Sequence, residues 1–153
     1  MQSLQDHGGL PHPVADARFY SGVPLRRLLA FLLDTAAILL LGILAGGIVG
    51  LVTLGVGFAL FVPVMGLTGL AYRIASLARW SATPGMRVTG IELRRFDGDR
   101  FDGRDAVLHT LAFTVCVMLG ITQLVSIAMM AFAPMGRGLP DLLLGSAAIN
   151  SPV

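Results

Sequence analysis

Forty-five residues separate Arg27 from Arg73, and only one of them, Asp34, carries a charged side chain. A carboxylate at the centre of an inserted helix costs on the order of 3 kcal/mol or more, so an acid kept at that depth needs a partner or a task. Two kinds of chemistry fit. Desolvation disfavours the charged form, so a buried acid can hold a proton near neutral pH, and Asp34 could take up and release a proton or cation. Alternatively, Asp34 locks helices together through polar bonds. Arg27 precedes it by seven positions, nearly two helical turns, which puts both on one face about 10 Å apart along the axis. That is too far for a direct ion pair without a bridging group. In an antiparallel packing, Tyr72 and Arg73 on the second apolar stretch and His109 on the third are the expected donors to Asp34, with Thr110 and Thr114 close by.

Other chemistries lack their signatures. The chain has no Ser/His/Asp order in a recognisable context, no glycine-rich phosphate loop after a strand and no His/Glu metal spacing, so no enzyme, cofactor or metal site is expected. His7 and His12 lie five apart in a polar tail and read as solvated side chains. Cys116 is alone in an apolar stretch and reads as a small buried hydrophobe, with no disulfide. All eleven basic residues are arginine, a hint of a GC-rich bacterial genome. They sit beside apolar segments, where topology signals and anionic headgroups account for a pI near 9.3 better than nucleic acid does.

The elements that must hold these residues are membrane helices. With 55% hydrophobic and 13% charged side chains, 153 residues are far too apolar for an ordinary soluble domain. A hydrocarbon core of about 30 Å takes about 20 apolar residues to cross, which predicts an all-α membrane protein with three spans, at about 25–48, 51–73 and 106–133. The third either crosses fully or, broken at Gly120, folds back as a re-entrant hairpin. Residues 1–24 read as a flexible or surface-lying arm without the features of a cleaved signal, and 25–150 as the membrane domain.

Gly42, Gly46 and Gly50 make two overlapping GxxxG spacings, which clear a stripe for close helix packing; the competing reading is that Gly46 and Gly47 form the turn between the first two spans. Pro63 falls midway along the predicted second span, where a kink is tolerable if neighbours satisfy the freed carbonyl. Residues 78–104 form the one sizeable polar loop. There the alternation around Ile91 and Leu93, with Phe96-Asp97-Gly98-Asp99 as a turn before Phe101, predicts a short β-hairpin, an amphipathic surface loop being the alternative. Asp102 and Asp105 should cap the following helix. Arg18, Arg26 and Arg27 precede the first span and seven arginines lie from Arg73 to Arg104, so the N-terminus and the polar loop should be cytoplasmic and the protein should sit in a bacterial inner membrane. So few helices bury little surface, so the lipid bilayer, a second copy or another membrane protein are the expected partners.

Three stretches together resemble the RDD family of bacterial membrane proteins. Arg26-Arg27-Leu28-Leu29-Ala30-Phe31-Leu32-Leu33-Asp34 is similar to the opening signature of that family. Thr83-Pro84-Gly85-Met86-Arg87-Val88-Thr89-Gly90-Ile91 resembles its cytoplasmic G-x-R-x-x-G-I segment, and the box at 137–146, from Arg137 to Ser146, resembles its terminal motif. The resemblance covers about residues 20–150. It implies that Arg27, Asp34 and Asp141 stand where the name-giving Arg, Asp and Asp stand, with Arg26 the alternative to Arg27. Pro140 replaces a frequent His and Ser146 a frequent Thr, so any role of that His is absent here. The activity it implies is a transport role proposed for the family, and kinship of fold does not establish activity.

Overall fold

The computed structural model describes residues 8–151. Helix α1 runs Val23–Val52, α2 Phe61–Trp80, α3 Pro84–Thr89, α4 Gly103–Met118, α5 Ile121–Phe132 and α6 Leu139–Leu144; strand β1 is Ile91–Arg94 and β2 Ala147–Asn150. Helix α1 has 30 residues, about 45 Å of rise, so it exceeds a 30 Å hydrocarbon core and reaches past it. Mean hydropathy reaches 2.5 along α1 and 1.6 along α2, and both are long enough to cross.

The glycine-rich end of the first span does not turn. Helix α1 continues through Gly46, Gly47 and Gly50, and the reversal falls beyond them, at Leu54 and Gly55, which both have positive φ. Thr53 closes that turn: its hydroxyl donates to the Val49 carbonyl at 2.7 Å and accepts from the Gly57 amide at 2.6 Å. A short 3-10 turn, Val56–Leu60, then leads into α2. Side chains from the far limb fill the glycine stripe. A Cβ on Gly42 would lie 2.1 Å from Met65 Sδ, one on Gly46 2.5 Å from the Phe61 ring, and one on Gly50 2.5 Å from the Phe58 ring. The stripe is therefore a packing face within the chain. Pro63 sits in the first turn of α2, where its missing N–H has no intrahelical partner anyway, so it removes no helix hydrogen bond.

Strand β1 forms where the alternation predicts, but its partner is different. It pairs antiparallel with β2 in the register Ile91 to Asn150 and Arg94 to Ala147. The Phe96 to Asp99 turn does form, with the Arg95 amide on the Asp99 carbonyl at 2.9 Å, and Arg94 and Arg100 make one isolated bridge. No second hairpin strand can follow, because Phe101 turns into the core and Asp102 already caps α4. Asp102 accepts from the Asp105 amide at 2.9 Å and Asp105 accepts from the Asp102 amide at 3.2 Å, the reciprocal cap expected from sequence.

The small sheet seats the main hydrophobic cluster, in which Val23, Leu77, Ile91, Leu93, Phe101, Ala106 and Ala148 are all buried. It ties together the start of α1, the end of α2, the start of α4 and the C-terminal strand. Leu10 and Tyr20 join Met135, Ala147 and Ile149 in a second cluster, and the Tyr20 hydroxyl donates to the Pro11 carbonyl at 2.8 Å. Residues 8–22 thus dock on the domain, and His7 lies outside the described residues. Along the helices the pattern inverts: Leu40, Ile48 and Leu67 are each more than 60% exposed, as a lipid-facing surface requires.

The third apolar stretch is broken. Helices α4 and α5 meet at 115°, with Gly120 at positive φ. At 16 and 12 residues neither reaches 30 Å. Because β2 pairs with β1, the chain after α5 returns to the end of the molecule from which α4 set out.

Candidate functional site

Asp34 is 2% exposed. The Tyr72 hydroxyl and the Gly85 amide each donate to Oδ1 at 2.8 Å, and the Thr83 hydroxyl donates to Oδ2. Tyr72 comes from α2, and the sequence builds the rest of this socket from one short helix. Thr83 is the N-cap of α3 and accepts from the Met86 amide at 3.2 Å, Pro84 takes the first turn, and Gly85 lets the helix start press on α1. A Cβ on Gly85 would lie 2.4 Å from the Ala30 carbonyl oxygen and 2.8 Å from Asp34 Oδ1.

Arg27 does not reach Asp34. Its Nη1 donates to Asp141 Oδ2 at 2.6 Å. The same oxygen accepts from the Gly138 amide at 2.9 Å, and His109 Nε2 lies 3.1 Å from Asp141 Oδ1. Asp141 is fully buried and sits at the third position of α6, folding back on the backbone amide that precedes the helix. Burial by itself raises its pKa; the Arg27 guanidinium and the His109 ring outweigh it and hold the carboxyl well below the usual range. Arg26 points elsewhere and donates to the Thr89 carbonyl at 2.9 Å, so Arg27 is the arginine of the polar network.

Of the donors expected for Asp34, Tyr72 is on it, His109 is on Asp141, and the Arg73 guanidinium stacks on the Phe113 ring at 4.1 Å from its centroid. All the same, Arg27, Asp34, Arg73, His109 and Asp141 line one cavity of about 490 Å³ bounded mainly by α1, α4, α5 and α6, with Arg73 of α2 and Met86 of α3 on its wall. That volume falls in the range of about 300–1,000 Å³ of small-molecule sites. Most of the remaining wall is apolar, including Leu28, Phe31 and Phe113. Gln123 and Ser126 belong to the site but were not singled out from sequence, whereas Thr83 and Gly85 stand in the stretch that resembles the family's cytoplasmic segment, with no role at Asp34 read for them there. Ser126 accepts from the Leu139 amide at 3.0 Å and holds α6 onto α5. Among the described residues no group of three His, Cys, Asp or Glu could hold a metal ion.

Two apolar crossing helices, a bent helical pair and a charged cavity within the bundle define a helical integral membrane protein. The chain matches the RDD family over residues 22–145, most of its length, and belongs to that family. No curated protein and no solved structure matches it.

Proposed function

We propose that this is a bacterial inner-membrane protein whose name-giving Arg and Asp residues lock its helices, and that it works as a scaffold or assembly partner, with a second copy or another membrane protein, and not as an enzyme. The observation that carries this reading is that both oxygens of Asp34 and both oxygens of Asp141 are engaged by groups from other elements. Each oxygen already has a donor that an incoming proton or cation would have to displace, and these carboxylates bolt α1 to α2 and α3, and α1 and α4 to α6. The Arg distribution supports a cytoplasmic N-terminus and a cytoplasmic polar segment, which docks on lipid headgroups or a soluble partner. With β2 on β1, the C-terminus shares that side, and α4 with α5 enters and leaves as a re-entrant pair.

The second reading is proton- or cation-coupled transport, alone or as a transporter subunit, and the shared cavity favours it. Proton and cation flux into vesicles separates the two, using wild type, Asp34→Asn and Arg27→Gln at matched, verified insertion. The scaffold reading expects no wild-type flux above empty vesicles and lowered yield or oligomer recovery for both variants. Wild-type flux lost in well-inserted variants overturns it in favour of transport.

A further inference from the structure

The Arg27 guanidinium is only half used. Nη1 serves Asp141, and also meets Met130 Sδ at 3.5 Å. Nε and Nη2 are buried and have no hydrogen-bond partner. These two atoms form the side edge of the guanidinium, where two parallel N–H bonds match the two oxygens of a carboxylate or phosphate. Buried donors of a charged group are seldom left unmade, since each costs about 1–3 kcal/mol or more. Gln123 Oε1, on the same cavity, is also buried without a partner, and an amide can present either a donor or an acceptor to a ligand.

The rest of the cavity asks for something other than an ion. Leu28, Phe31, Val117 and Ile127 line it and are each 40–54% exposed, on apolar helices whose outer faces meet lipid. The cavity wall is thus continuous with the acyl-chain region between α1 and the α4–α5 pair. A free inorganic anion would satisfy Arg27 and leave the apolar volume unfilled; an alkyl chain alone would leave the guanidinium edge unmade.

We infer that the cavity binds a single-chain membrane amphiphile with an oxyanion head, the carboxylate or phosphate bridging Arg27 Nε and Nη2 and the chain lying along Phe31, Val117 and Ile127. Met130, a flexible thioether on the cavity wall whose sulfur meets Nη1, can shift as the head enters. The assignment holds whether the protein scaffolds or transports, because it concerns occupancy alone.

The test uses the full chain in nanodiscs of zwitterionic lipid, with oleate, dodecyl phosphate, dodecanol, acetate and inorganic phosphate as probes, read by native mass spectrometry and by heat stability. Oleate and dodecyl phosphate should bind and raise the thermal midpoint, at least about tenfold tighter than dodecanol, as loss of charge-assisted hydrogen bonds implies. Arg27→Lys keeps a cation for Asp141 but removes the two-pronged edge, and should weaken binding about tenfold. Ile127→Trp fills the chain site without touching the Arg27 to Asp141 pair and should weaken binding at unchanged stability of the ligand-free protein. Equal binding of dodecanol, binding of acetate or phosphate as tight as the amphiphiles, no binding to folded wild type, or undiminished binding to folded Ile127→Trp would each overturn the assignment.

Discussion

Asp141 ties three elements together, joining α1 through Arg27, α4 through His109 and its own helix start through Gly138. Removing one partner of a buried, hydrogen-bonded ion pair leaves the other charge uncompensated, which typically costs about 3–5 kcal/mol. Asp141→Asn and Arg27→Gln should each lower the thermal midpoint in detergent sharply, and the double variant should lose less than the sum, as coupled neighbours do. The sign of the pH response follows from the same contacts. Since the folded carboxyl titrates below its unfolded value, its contribution is fully present above the ordinary carboxylate pKa of about 4 and is lost as pH falls through the folded value. Midpoints measured from pH 7 down to 3 should therefore fall more steeply for wild type than for Asp141→Asn. Asp34 was legible from sequence as the residue in need of partners. That Arg27 serves Asp141, 114 positions away, was not, because a seven-residue spacing on one helix says nothing of what a third segment brings between.

At the level of elements, the glycine stripe makes the sharpest contrast. Gly46 faces the Phe61 ring with no room for a Cβ, whereas Gly47, the next residue, has nothing within 4 Å. Gly46→Ala should cost about 1–3 kcal/mol through overpacking, and Gly47→Ala should be neutral or stabilising by up to about 1 kcal/mol through helix propensity. Heat-induced unfolding of the two purified variants checks the pair. From sequence, Gly46 and Gly47 competed between turn and packing face, because glycine permits both. The helix wins here since a reversal at that point would expose unpaired backbone groups, and Thr53 supplies a closed turn nearly two helical turns later. Strand β1 was legible by its alternation, but a strand's partner depends on register and proximity. Only the return of the C-terminal segment supplied Ala147 to Asn150.

For the whole molecule, the sheet makes a topological claim. A cysteine placed at Ser151 should react with a membrane-impermeant reagent from the same side as one at Asp99, and one at Leu54 from the opposite side, all in a Cys116→Ser background. Labelling of Ser151 and Leu54 from one side would contradict the re-entrant arrangement. The apolar core gathers at the polar end, while the helices turn their leucines outward.

Composition and run length by themselves determined that the chain is a membrane protein, that its first two apolar stretches are helices long enough to cross, and that Asp34 is costly where it stands. These are local properties, set by transfer free energy and backbone hydrogen bonding within one segment. Tertiary structure alone decided which donor meets which carboxylate, that α4 and α5 meet at 115°, and that five separated polar residues border one cavity. Those outcomes rest on contacts between segments far apart in the chain, which no single segment's pattern encodes.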